Sequence, residues 1–175
     1  MKKIFILAAF ALASISSHAQ DVFKKGDNLG TVQLGIGSGM ALSATYEKGI
    51  VDNLFDGNAS IGVGGYLGYM HDKDSYTIMG DEYGWKYNNI ILGVRGNLHY
   101  QFIDRLDTYA GLMLGYEIVG SKAFGDKYDD VSASGSGFAF SIHAGTRYYF
   151  TDNFAAGIEV GYGIAYANIG VAYKF

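Results

Sequence analysis

Residues 89–102 read Asn-Ile-Ile-Leu-Gly-Val-Arg-Gly-Asn-Leu-His-Tyr-Gln-Phe. Ile90, Leu92, Val94, Leu98, Tyr100 and Phe102 fall on one register, and Ile91, Gly93, Arg95, Asn97, His99 and Gln101 on the other. A period of two is the pattern of a strand with two unlike faces, because successive side chains point to opposite sides. One face is aliphatic and ends in two aromatics. The other mixes small residues with charge. A tilted strand of about 9–11 residues crosses a bilayer, so this run is long enough to do so.

The same alternation recurs over residues 29–37, 41–49, 59–70, 106–119, 137–150, 154–163 and 166–175. The connections at 51–56, 103–105 and 151–153 are short. Those at 71–86 and 120–135 are long and polar, and read as loops. Short turns at one end and longer loops at the other describe a membrane barrel with periplasmic turns and external loops. Tyr46, Tyr100, Phe102, Tyr148, Phe150, Tyr173 and Phe175 stand at one set of strand ends, and Tyr69, Tyr116, Phe138 and Tyr162 at the other. Two aromatic rings with aliphatic residues between them match interfacial girdles. The composition agrees: 26 Gly, 15 Tyr, 11 Phe and no Pro, which would remove a ladder hydrogen bond.

The first residues differ from the rest. Lys2 and Lys3 precede an apolar run from Ile4 to Ile15, then Ser17, Ala19 and Gln20. A basic start, a short apolar stretch and a small-residue site predict a secretory signal over 1–19, leaving a barrel domain over 20–175. The run is too short to span a membrane as a helix. With no Cys, disulfides, thiol chemistry and a lipid-modified Cys are excluded. Loss of Lys2 and Lys3 takes the formal charge from −4 to −6. An acidic chain without a basic cluster is a poor nucleic-acid binder.

A soluble barrel could carry the same alternation inverted, with the apolar face inside. The polar face argues against it. Gly35, Gly62, Gly64, Gly68, Gly93, Gly111, Gly115, Gly145, Gly157, Gly161 and Gly170 lie there. Glycine weakens a strand and has no reason to accumulate on a wet face. Inside a narrow barrel it makes room for Arg95, Arg147 and Tyr149. The expected fold is therefore all-β: an eight-stranded antiparallel up-and-down transmembrane barrel, apolar face to lipid.

The signal ending Ala19-Gln20, the recurring strands and the terminal Phe175 together resemble small outer-membrane barrels of the OmpX and OmpA type. Residues 42–49 (Leu-Ser-Ala-Thr-Tyr-Glu-Lys-Gly) and 62–69 (Gly-Val-Gly-Gly-Tyr-Leu-Gly-Tyr) are similar to barrels from Bacteroidetes-type bacteria. The resemblance implies outer-membrane localisation and contact with lipid and lipopolysaccharide. It also implies a barrel-assembly signal at Tyr173 and Phe175, read by the assembly machinery. Nothing resembling a peptidoglycan-binding domain follows the strands, so cell-wall anchoring is not implied. A monomer without cofactor is expected.

The candidate functional residues are the inward polar ones: Glu47, Arg95, His99, Glu117, His143, Arg147 and Glu159. Charges shielded from water are costly unless paired. They point to a salt-bridge network plugging the lumen, with a narrow ion or small-solute path as the alternative. The 151–153 turn places Glu159 opposite Gly145, diagonal to Arg147 and His143. Arg95 and Glu47 are candidates to meet across the lumen. The run His71-Asp72-Lys73-Asp74-Ser75 holds hydrolase residue types, so a lipid A-modifying enzyme is the second alternative. Triads, however, are assembled in space rather than from contiguous residues, and no catalytic residue is assigned. Asp126, Asp129 and Asp130, with Asp81 and Glu82, are acidic but lack the spacing of a calcium loop, so no metal site is expected. Gly35, Gly37 and Gly39 mark a turn with no helix after it, not a nucleotide loop. Tyr83, Trp85 and Tyr87 are expected to anchor at the interface, with sugar binding as the other reading.

Overall fold

The computed structural model describes residues 22–37, 39–78, 81–125 and 131–175. The predicted signal and Asp126, Asp129 and Asp130 lie outside the described residues. Eight strands follow one another: β1 (Asn28–Ile36), β2 (Met40–Leu54), β3 (Ala59–Ile78), β4 (Asp81–Ile103), β5 (Leu106–Phe124), β6 (Ser132–Tyr149), β7 (Phe154–Tyr162) and β8 (Ala167–Lys174). Each pairs antiparallel with the next, and β8 closes on β1 from Leu29↔Lys174 to Ile36↔Ala167. Where all eight strands pair, closure leaves no edge of unpaired backbone groups.

The alternation resolves as expected, apolar side outward. Val94 is 67 % exposed, and Leu34, Leu67, Leu92, Leu114, Ile142, Ile158 and Ile169 also stand on the outer surface. A belt of that extent suits hydrocarbon, not water. Tyr46, Phe102, Phe150, Tyr173 and Phe175 ring it near the short turns, and Tyr69, Tyr116, Phe138, Tyr162 and Tyr166 ring it at the other end. The inward glycines do make room. A Cβ on Gly145 would run into the Tyr109 ring, and one on Gly111 into the Asn97 and His143 side chains.

The two long connections differ from expectation. Pairing of β3 with β4 continues to Ile78↔Asp81, β4 with β5 to Gly84↔Phe124, and β5 with β6 to Lys122↔Ser132. Most of 71–86 and 120–135 is therefore strand. Beyond the apolar belt both faces of a sheet are wet, so the hydrophobic alternation that reveals a strand disappears while its backbone ladder continues. The result is a tall wall of β3–β6 beside a low rim, where β1 stops at Ile36 and β7 at Tyr162. At the opposite end β2 runs through two register shifts to Leu54, so the turn expected at 51–56 sits later.

Residues 22–27 tuck into the short-turn mouth, which alternation could not foretell. Val22 and Phe23 are buried with Leu29, Tyr149, Ala155 and Ala172. Ser60 Oγ donates to the Phe23 carbonyl (2.9 Å) and Lys174 Nζ to the Val22 carbonyl (3.2 Å). Backbone bonds between Gly26 and Gly49 and between Gly49 and Asp27 hold the segment along β2.

Candidate functional site in the lumen

Side chains fill the lumen in layers. Above the apolar layer of Val22 and Phe23 lies a charged one. His99 sits between two carboxylates, Nε2 2.7 Å from Glu47 Oε1 and Nδ1 2.9 Å from Asp107 Oδ1. An ionised carboxylate only accepts, so both ring nitrogens must donate for both contacts to be hydrogen bonds. Arg147 reaches Asp107 at 3.3 Å and Glu47 at 3.7 Å, with its guanidinium over the Tyr109 ring. Asn97 donates to Glu47 (2.9 Å) and takes a bond from His143 Nε2 (2.7 Å). Arg95 and Glu159 form a separate pair at 2.7 Å, and the Tyr109 hydroxyl donates to the same Glu159 oxygen.

With His99 doubly protonated, three cations (Arg95, His99, Arg147) face three carboxylates (Glu47, Asp107, Glu159). Asp107 is 0 %, Glu47 2 % and Arg147 4 % exposed. Charges this dry survive only when partnered. A second apolar layer follows, made of Ile91, Met113 and Ala139 with Tyr66 and Ile164. Two cavities among these side chains are small: about 40 Å³ at the short-turn mouth beside Phe23, His99 and Asp107, and about 10 Å³ among Arg95, His143 and Glu159.

Six of the seven predicted residues thus meet in one region. Glu117 does not join them; it stands opposite Ile91 of the second apolar layer and accepts from Asn89 (2.7 Å). Glu159 is opposite Gly145, as its turn requires, yet its partner is Arg95 rather than Arg147, and Glu47 is engaged by His99, Asn97 and Arg147 rather than by Arg95. Sequence reading missed Asp107, the second residue of β5, which falls inside the strand expected over 106–119 but was not singled out among the inner residues. It shares a face with Tyr109 and Gly111, and extending that register by one step would have found it. Asn97 was placed on the inner face but not in the network.

On the wall, strand geometry separates the hydrolase residue types. His71 lies on the outer face and Asp72 on the inner. His71 and Ser75 share a face but stand about 13 Å apart at strand rise, and His71 Nδ1 meets Asn88 Oδ1 at 2.9 Å. Asp81 and Glu82, adjacent on β4, also point to opposite faces. Among the described residues no group of His, Asp or Glu is arranged to hold a metal. Lys73 Nζ lies 2.8 Å from Glu82 Oε1, and this bond, with one from Ser75, holds the Glu82 carboxyl below its ordinary range. Tyr83, Trp85 and Tyr87 share the inner register of Ile91. They face away from the lipid side, contrary to the anchoring role expected of them.

No family model and no curated protein matches the chain. Solved structures do. The N-terminal β-barrel domain of OprF from Pseudomonas aeruginosa is 16 % identical, with a TM-score of 0.55 over 86 % of this chain and 98 % of that one. Ail, the attachment invasion locus protein of Yersinia pestis, is 12 % identical, with a TM-score of 0.51 over 86 % of this chain and 99 % of that one. At such identities the likeness is one of fold, and the fold is that of the small eight-stranded outer-membrane β-barrels.

Proposed function

We propose that this chain is an integral outer-membrane barrel whose lumen is closed by its own side chains and whose work is done outside, on the β3–β6 wall. One observation carries the reading: the interior is occupied by a paired charge network between two apolar layers, with cavities that hold at most a few waters. A solute path has little room there, whereas the wall presents polar and aromatic side chains well beyond the belt.

In this reading the signal over 1–19 directs export. The short turns, the start of β1 and the end of β8 face the periplasm, and the wall faces outward. Tyr173 and Phe175, exposed on the outer surface with rings 6.4 Å apart, serve the assembly machinery. The protein acts as a monomer among outer-membrane lipids, in a structural or surface-interaction role. The buried pairing of Arg95, Arg147 and His99 makes a conducting path the weaker reading, and the separation of His71 from Asp72 does the same for a lipid-modifying enzyme.

The test is a single cysteine at Thr77, near the wall tip, in this otherwise Cys-free chain. A membrane-impermeant maleimide should label it on intact cells, and the protein should fractionate with the outer membrane and migrate differently when boiled. Labelling only after lysis would overturn the orientation and with it the external role.

A further inference from the structure

The inner face of the wall, above the second apolar layer, carries an aromatic stripe that the charged network does not use. Tyr87, Trp85 and Tyr83 follow one another on the inner register of β4, and Tyr76 of β3 stacks on Tyr83 with ring centroids 6.4 Å apart. Across the ladder between β3 and β4, Asp72 is directly opposite Tyr87 and Asp74 directly opposite Trp85. On the β5 side the same two rings are opposite Ser121 and Ala123. Each ring therefore has a carboxylate on one side and a small side chain on the other. Trp85 and Tyr87 are both partly exposed.

Charge on this face has one sign. Asp72, Asp74 and Asp81 lie on the inner register, while the lysines of the wall, Lys73, Lys86 and Lys122, lie on the outer. Asp72 Oδ1 accepts from the Lys73 amide (2.8 Å). Among the described residues none of the three acids has an ion-pair partner. The face is also open. Across from it the rim is low, with β1 ending at Ile36 and β7 at Tyr162, so among the described residues no facing strand covers it.

Charge and spacing limit what can lie there. A cation beside an aromatic ring is attracted by the ring's negative face as well as by the carboxylate next to it, and arginine adds planar stacking. Asp72 and Asp74 are two residues apart on one strand, about 6.6 Å. An extended chain presents its own alternate side chains on one face at that same interval. We propose that the Asp72–Tyr87 and Asp74–Trp85 pairs bind an extended segment of an external protein that carries arginine or lysine at alternate positions. The site rests on the orientation proposed above and gives the surface-interaction role a partner chemistry.

Trp85 is the one tryptophan of the chain, so its emission reports occupancy directly. The test titrates the refolded full-length barrel, in zwitterionic detergent, with a Thr-Arg-Thr-Arg-Thr peptide and with its isomer Thr-Arg-Arg-Thr-Thr, whose arginines point to opposite faces when extended. The alternating peptide should shift Trp85 emission saturably, bind at least about fivefold more tightly than its isomer and weaken in high salt. Asp72→Asn with Asp74→Asn should remove that preference while leaving heat-modifiable migration intact. Asp56→Asn, in the turn between β2 and β3 at the other end, should change nothing. Equal binding of the isomers, or an unchanged preference in the double variant, overturns the site even where the Thr77→Cys label confirms the orientation. Full competition by an equimolar polyamine overturns it too, since the ligand would then be a small polycation. So does tighter binding of a neutral oligosaccharide, which would make the stripe a sugar platform.

Discussion

The short-turn half of the lumen and the wall at the other end handle charge in opposite ways. Within the lumen Glu47, Asp107 and Glu159 each lie against a cation, and all are nearly dry. On the wall the charges are wet and sorted by face, Lys73, Lys86 and Lys122 outward and Asp72, Asp74 and Asp81 inward. Desolvation explains the first arrangement, because an unpaired buried charge costs several kcal/mol. Exposure permits the second, because water and salt screen what the fold leaves unpaired. Where a charge is buried, its partner is part of the fold; where it is exposed, its partner can come from outside.

The hardest blow to that contrast is Glu47→Ala. It leaves His99 and Arg147 short of a carboxylate, and urea unfolding of the refolded barrel should show a loss of about 3–5 kcal/mol. A loss no greater than that of Lys73→Ala would erase the distinction. Arg95 and Glu159 give a sharper version. Each single change, Arg95→Met or Glu159→Leu, strands its partner, while the double variant strands neither and should regain most of the loss, a coupling of about 2 kcal/mol or more. Strictly additive losses would mean that the pair acts as two independent side chains.

Packing separates the regions more gently. Gly145→Ala forces the Tyr109 ring aside and should cost about 1–3 kcal/mol. Gly137→Ala, where nothing lies near the added carbon, should be silent in the same unfolding assay. The smallest effect belongs to Glu82. Its carboxyl, held below the ordinary range by Lys73, favours the folded wall above the unfolded carboxyl's pKa. The contribution fades as pH falls through the lower folded value. Side-chain NMR should show Glu82 titrating below a free carboxylate, and Lys73→Gln should move it back up.

The barrel was legible because lipid and lumen impose opposite demands on alternate residues, as Asn89–Phe102 shows. The register of β6 on β7 was legible for a local reason: a short turn fixes it and sets Glu159 opposite Gly145. Three things were not. The wall strands were hidden because Asp72, Lys73, Asp74 and Ser75 need no alternation once both faces are wet. The partners of Glu47 and Arg95 depend on how the sheet closes, which no strand encodes alone. The cap of Val22 and Phe23 has too few residues to show a period.

The central claim is that the paired network closes the lumen, and planar-bilayer recording tests it directly. Refolded parent protein should pass no steady current, while Arg95→Ala with Arg147→Ala, which removes two large side chains from the charged layers, should leak. A stable open level in the parent, equal to that of the double variant, would contradict the account.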